Sequence, residues 1–300
     1  MPIAVIAFDF DPLLHLGDDL VIRWQTIALA AIIAATLFVT AAMARRTGLH
    51  PDDLLYIAIG IVPGGVIAGR LGYALTHLDG FVTTPLRVLD PGAGGLDLAA
   101  GVVGGILTGA YVASLLGAPV GRWAHVAAVP LLAAIGAGKL AMVLGGSGQG
   151  LPWSGPWATA FLPPGPWNSL AAALPSHPAQ AYEGVAALGW GIALALVAGL
   201  VGAGRRDGRL LCAAVAGWAF LRAAISITWR DPVAFGPFSA GGWLAIDIGI
   251  GAVVALILLA ARRTDPHAAD DEVARDPVPT PVVESSPSPA WPDPESRPRF

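Results

Sequence analysis

Apolar residues fall into long blocks, separated by shorter stretches in which charge, glycine and proline collect. The blocks run Trp24–Met43, Leu54–Leu75, Ala99–Leu116, His125–Leu144, Pro178–Gly202, Leu210–Thr228 and Trp243–Ala261. A helix needs about 20 mostly apolar residues to cross the hydrocarbon core of a bilayer. The pattern predicts an all-α, polytopic membrane protein with about seven transmembrane helices. The third block is short and rich in glycine, and polar residues in the fourth and fifth blur their ends.

Two stretches outside the blocks are long. Gly145–Ser176 is dense in Gly, Pro and Trp, including Trp153, Trp157 and Trp167. Indole rings prefer the headgroup level, so this loop is expected to lie on the membrane. Residues 264–300 turn to Pro, Ser, Asp and Glu with few aliphatics. Such a segment buries too little apolar area to offset its ordering entropy. The expected organisation is an integral membrane domain over residues 1–263 and a disordered, acidic, Pro-rich cytoplasmic tail over 264–300. Met1–Leu20 lacks a positive n-region and is interrupted by Asp9, Asp11, Asp18 and Asp19. No cleaved signal peptide is expected there, and the first apolar block serves as an uncleaved insertion signal.

Charge gives an independent count of the crossings. Arg45, Arg46, Arg122, Arg205, Arg206, Arg209, Arg262 and Arg263 all fall on one side if there are seven spans, while Arg87 and Arg230 fall on the other. Positive loops stay cytoplasmic, which puts the N-terminus outside and the C-terminus inside. Composition agrees: 55% of the 300 residues are hydrophobic and 13% charged, against about 25% charged in a soluble domain, and the mean hydropathy is +0.66. The net charge of −4, with no basic stripe, excludes a nucleic-acid partner. A single cysteine, Cys212, excludes an intramolecular disulfide and a multi-cysteine metal site.

Ionisable groups at membrane depth are costly and usually functional. Here they are Arg70, Lys139 (the sole lysine), Glu183, Arg222 and Asp247. They could be structural pairs, such as Arg222 with Glu183. For three cations on different helices a shared anionic ligand is the better account, and a lipid phosphate is the obvious one. In Leu174–Glu183, Pro178 suits the first turn of a helix, and His177, Gln180 and Glu183 recur every third residue along one face. That stripe is either an interhelical clasp or the wall of a polar cavity. Glycines flank these residues (Gly64, Gly65, Gly69 and Gly72; Gly101, Gly104, Gly105 and Gly109; Gly136 and Gly138). Packing of close helices accounts for most of them.

From Phe8 to Arg263 the combination resembles the bacterial prolipoprotein diacylglyceryl transferases. His177-Pro178-Ala179-Gln180-Ala181-Tyr182-Glu183 looks like the family's His-Pro-x-Gln-x-Tyr-Glu signature. Also similar are Gly69-Arg70-Leu71-Gly72-Tyr73, Gly136-Ala137-Gly138-Lys139-Leu140, Phe220-Leu221-Arg222 ahead of Trp229-Arg230-Asp231-Pro232, Phe10-Asp11-Pro12 and Ile22-Arg23-Trp24. Seven spans with an outside N-terminus is the family topology too. The resemblance implies a multi-pass enzyme of the bacterial plasma membrane. Its partners would be phosphatidylglycerol and a prolipoprotein signal peptide bearing a lipobox cysteine. It would move the diacylglyceryl group onto that thiol and release glycerol phosphate, without metal or soluble cofactor. Arg70, Lys139 and Arg222 would bind the lipid phosphate, with Tyr73, Gln180, Tyr182, Glu183 and Arg230 in support.

Several family positions differ. Alanine (Ala99) stands where the family has a histidine, Gln25 replaces a tyrosine, Lys139 an arginine, Met142 an asparagine, and Ser147 and Ser226 glutamates. A thiol must lose its proton to attack, so Asp97, two residues before the vacant position, or His177 is the expected base. The competing expectations are a degenerate homologue that binds lipid or scaffolds without transfer, and a small-solute transporter.

Overall fold

A computed structural model describes residues 5–17, 20–90, 92–162, 165–200 and 207–261. These fall in the compact unit Met1–Ala260, apart from Ala261. The expected tail over 264–300 lies outside the described residues. Among the described residues, seven helices are long and apolar enough to cross a membrane. They are α1 (Trp24–Arg46), α2 (Asp53–Thr76), α3 (Leu98–Leu115), α4 (Val120–Ala141), α5 (Ala179–Leu200), α6 (Arg209–Ser226) and α7 (Ala240–Ala261). The predicted blocks are therefore all helices.

One boundary moves the picture. Pro119 occupies the N-cap position of α4, so that helix starts five residues before the expected His125, at Val120, and takes Arg122 into its first turn. From there the Arg122 guanidinium donates to the Thr47 carbonyl at the C-terminal end of α1. Arg209, opening α6, pairs with Asp207 at 2.9 Å and donates to the Leu259 carbonyl near the end of α7 at 2.7 Å. Arg45, Arg46, Arg122 and Arg209 thus gather at one end of the bundle. There, arginines at the ends of α1 and α7 answer the partial negative charge of exposed helix carbonyls.

Lipid tails are as apolar as leucine, so helices in a membrane associate by close packing. A Cβ added to Gly104 on α3 would sit 2.5 Å from the Gly64 carbonyl and 2.2 Å from Ala68 Cβ on α2. A Cβ on Gly136 of α4 would sit 2.8 Å from the Gly184 carbonyl of α5, and one on Gly184 3.0 Å from the Gly136 carbonyl. Backbone touches backbone at both places. The core between α4, α5 and α6 is built from Ala128, Leu132, Ile135, Ala187, Leu194, Ala214 and Trp218. On α1, α2 and α7 large apolar side chains such as Phe38, Leu55, Ile59 and Leu258 stay exposed, the surface that lipid would cover.

Among the described residues, the end opposite the arginines carries three two-stranded sheets that the apolar pattern does not announce. Strand β1 (Ile6–Asp9) lies parallel to β4 (Thr159–Leu162), β2 (Leu13–Leu16) antiparallel to β3 (Leu20–Arg23), and β5 (Val233–Phe235) antiparallel to β6 (Phe238–Ser239). Strands of two to four residues have no readable period. The long loop is folded: Phe161 and Trp167 are buried, with Phe8 stacked on Phe161 and Phe10 edge-on to Trp167. Not every indole is therefore a headgroup anchor, and the N-terminal segment is docked by its phenylalanines.

Replacing Gly104 by Val is expected to destabilise the fold by about 1–3 kcal/mol, read as thermal unfolding in detergent. Gly189→Ala, at a glycine with nothing within 4 Å of an added Cβ, is expected to leave stability unchanged or slightly raised.

Candidate active site

The Gly136–Gly184 contact brings α4 and α5 together one turn from Lys139 and next to Glu183. Lys139 Nζ lies 2.8 Å from Glu183 Oε2. From α6, Arg222 Nη1 donates to Glu183 Oε1 at 2.7 Å and Oε2 at 2.9 Å. Its Nη2 reaches Asp97 Oδ2 at 3.3 Å. Asp97 caps α3, its Oδ1 accepting from the Ala100 N–H at 2.8 Å. Four helices are therefore joined through four charges, two of each sign. Glu183 is 1% exposed, Arg222 5% and Asp97 8%. The Arg222 guanidinium lies over Trp229, 4.5 Å from the ring centroid, with Trp218 at 6.0 Å.

Balanced charge is what makes such a cluster tolerable, because a lone buried ion costs several kcal/mol. It also limits what can bind. Arg222 spends three of its five N–H donors on carboxylates. Lys139 meets one carboxylate, that of Glu183, and an ammonium has three N–H donors, which leaves two for an anion. Lys139, Glu183, Asp97 and Arg222 line a cavity of about 340 Å³ together with Tyr73, His77, Gln180, Trp229 and Arg230.

Arg70 is not in that wall. Its guanidinium donates to the carbonyls of Val88 (2.7 Å), Gly95 (3.0 Å), Arg87 (3.0 Å), Asp90 (2.7 Å) and Ala93 (3.1 Å). The three cations expected at one phosphate thus divide in this structure. Arg70 holds the α2–α3 connection in shape, and only Lys139 and Arg222 meet. Arg230 lines the cavity but gives its donors to the Gly150 and Leu170 carbonyls and to the hydroxyls of Ser169 and Ser176. Asp247 is exposed on α7, away from the cluster.

His177 stands outside the cavity lining, stacked on Trp153 at 4.4 Å and 9°. Its Nδ1 lies 3.2 Å from the Tyr182 hydroxyl, which accepts from Trp157 Nε1 at 2.8 Å. Burial holds the imidazole pKa below its ordinary value. The His177–Gln180–Glu183 stripe therefore divides: Gln180 and Glu183 enter the cavity and His177 joins an aromatic cluster beside it.

Sequence reading passed over His77. It follows Arg70 and Tyr73 at heptad-like spacing, the available signal, and its ring stacks on Tyr73 at 4.1 Å. Nδ1 lies 3.0 Å from both the Tyr73 carbonyl and the Thr76 hydroxyl. The capping role of Asp97 also had a signal, an aspartate immediately before an apolar block. The substituted family positions are filled consistently. Ser147 Oγ donates to Gln25 Oε1 at 2.9 Å, and Ser226 Oγ to the Ala223 carbonyl at 2.7 Å. Ala99 is fully buried.

Seven apolar helices carrying a neutral ion cluster beside a cavity define a multi-pass membrane protein with a polar intramembrane site. The profile of the prolipoprotein diacylglyceryl transferase family matches residues 12–258, and the chain belongs to that family. A phosphatidylglycerol–prolipoprotein diacylglyceryl transferase of Geobacter sulfurreducens is 29% identical over 269 residues, covering 85% of this chain and 98% of the relative. The enzyme of the same name from Bordetella avium is 30% identical over 220 residues, 71% of this chain and 78% of that one. Its counterpart in Clostridioides difficile is 23% identical over 245 residues, 81% of this chain and 92% of that one.

Glu183→Leu is expected to destabilise the fold by about 3–5 kcal/mol, by stranding Lys139 and leaving two cations against the one carboxylate of Asp97. Adding Arg222→Leu should recover part of that loss, since it again balances the charges. Thermal unfolding of the single and double variants in detergent measures both. A second expectation concerns His177. The folded ring binds its proton less readily than the unfolded one, so stability is complete above about pH 6.5 and falls as the pH drops through the window below it. His177→Phe, which keeps a ring against Trp153, should flatten that part of the stability–pH curve.

Proposed function

We propose that this chain transfers the diacylglyceryl group of phosphatidylglycerol to the lipobox cysteine of prolipoproteins, at the outer face of the bacterial plasma membrane. The observation that carries the reading is the ammonium of Lys139, in a cavity wall with two donors unspent while Glu183 and Asp97 balance the charges of Lys139 and Arg222. A phosphodiester seated there needs no buried ion pair to break. The thiolate sulfur forms a bond to the glycerol carbon that carries the phosphate. The carbon–oxygen bond breaks, and its electron pair leaves on the phosphate oxygen, where Lys139 stabilises the developing charge. The products are a thioether-linked diacylglyceryl group and glycerol phosphate.

The thiol proton needs an acceptor. Asp97 has one oxygen on the Ala100 N–H and the other on Arg222, which suits it to positioning the guanidinium. His177 lies outside the cavity lining. His77 is inside it, and its Nδ1 faces a carbonyl that can only accept. That contact fixes the proton on Nδ1 and leaves the lone pair on Nε2, the form a general base requires. Family membership and relatives matched over nearly their full length do not favour a lipid-binding scaffold without transfer.

Transfer of labelled lipid from phosphatidylglycerol to a reporter prolipoprotein, by the purified chain in vesicles, tests the reading. His77→Phe is expected to lower kcat by about 10²–10⁴, with KM for the lipid changed only a few-fold, and His177→Phe to stay within about tenfold of wild type. No transfer by a folded, inserted wild-type chain would overturn the proposal.

A further inference from the structure

Arg70, Lys139, Glu183 and Arg222 all find partners inside the protein. Asp247 does not: among the described residues nothing pairs with its carboxylate. On α7 the residues turned into the bundle include Gly242, Ala245 and Gly249, all buried. Asp247 stands two residues from both Ala245 and Gly249, roughly 160° around the helix from each, and is exposed. A Cβ built on Gly242 would lie 2.3 Å from Ser226 Oγ, and one on Gly249 2.9 Å from the Phe220 ring, so α6 and α7 run side by side and antiparallel. Arg222 comes one turn before Ser226, and Asp247 follows Gly242 by little more than a turn, which sets both at about one depth. Asp247 thus shares the level of the buried ion cluster but points the other way, out of the bundle.

Lipid tails cover the apolar part of that face and leave the carboxyl without a partner. Ionisable groups in membrane spans almost always face a bundle interior or a cavity and pair with other polar groups. A polar group from outside the chain is therefore called for, and the rest of the face says which. Asp247, Gly251, Val254 and Leu258 are spaced as the seam of a left-handed helix pair, and all are exposed. A Cβ on Gly251 would meet nothing within 4 Å, so one turn from the carboxyl the surface is open to the backbone of a second helix.

The seam is self-complementary. Copies of one chain insert in the same orientation, so a two-fold axis between them runs along the bilayer normal and like residues meet at like depth. Asp247 then faces its own counterpart, Gly251 faces Gly251, and Val254 and Leu258 close the contact. Two carboxyl groups sharing a proton satisfy one another, since one donates what the other accepts. A foreign helix bearing a cation would pair with Asp247 as well, but the remaining seam residues offer it nothing polar to recognise. Gly241, which lines the cavity, lies on the buried side of α7, so this contact leaves the cavity free.

We propose that the lipid-side face of α7 is a homodimer interface, in which Asp247 pairs with its counterpart in a second copy across a seam continued by Gly251, Val254 and Leu258.

The full chain in liposomes, with donor and acceptor dyes on separate copies, reads dimerisation by energy transfer as the protein-to-lipid ratio is lowered. Wild type is expected to dimerise, and Asp247→Leu to dissociate about 5–30-fold more readily, the equivalent of one interhelical hydrogen bond in a membrane. Its Tm should not fall, because the side chain touches nothing within its own chain. Asp247→Asn, whose carboxamide carries both a donor and an acceptor, is expected to keep the dimer. In a Cys212→Ser background, Val254→Cys should cross-link on mild oxidation, and Leu256→Cys, roughly 160° away around the helix, should not. A wild-type chain that is monomeric at every ratio would overturn the interface, leaving a foreign helix as the partner of Asp247. So would an Asp247→Leu chain that dimerises as tightly as wild type, an Asn variant no tighter than the Leu one, or a cross-link at 256 in place of 254.

Discussion

Everything at the centre of the molecule depends on Arg222 being paired twice. Its guanidinium bridges Glu183 on α5 and Asp97 at the head of α3, and Glu183 in turn takes Lys139 from α4. Breaking either bridge strands an ion in a low-dielectric interior, so helices that have little hydrophobic reason to stay together are held in one arrangement. Replacing a buried ion cluster with apolar residues is often neutral or stabilising, so stability alone does not explain why this one is built of charge. A site that must receive a phosphate does: it needs cationic donors that the resident carboxylates do not use up, and Lys139 keeps two.

The same division of labour explains the remaining arginines. Arg70 and Arg230 spend their guanidinium groups on carbonyls and hydroxyls of irregular chain. Irregular backbone at a membrane surface leaves carbonyls that no ladder satisfies, and a guanidinium with five donors is an economical way to collect them. The positive charge these residues bring near the cavity is thus a by-product of shaping its rim. Where this chain departs from its family, the replacements are locally coherent. Gln25 and Ser147 satisfy each other, and Ser226 turns back onto its own helix.

Much of the fold was legible in the sequence because the bilayer imposes a length that composition cannot hide. All seven spans follow from that constraint, and the closest discrepancy, the start of α4, came from reading Arg122 as loop when Pro119 had already opened the helix. The small sheets were not legible, since β1 and β4 are too short to show a period and pair across half the chain. Lys139, Glu183 and Arg222 were legible because ionisable residues are rare at that depth. The Arg222–Glu183 pair was legible as well, but the other partners were not: whether a cation meets a carboxylate or a carbonyl depends on the rotation of its helix, which separated Arg70 from Arg222. His77 escaped because one histidine at a helix end carries no signal until the wall around it is known.

The central claim is that a lipid phosphate joins Lys139 without dismantling the Arg222–Glu183 pair. A structure of the chain in nanodiscs containing phosphatidylglycerol tests it most directly. The account predicts a phosphate oxygen about 3 Å from Lys139 Nζ, with Arg222 still bridging Glu183 and Asp97. A phosphate bound at Arg70, or an Arg222 that has left Glu183 to reach it, would contradict the account.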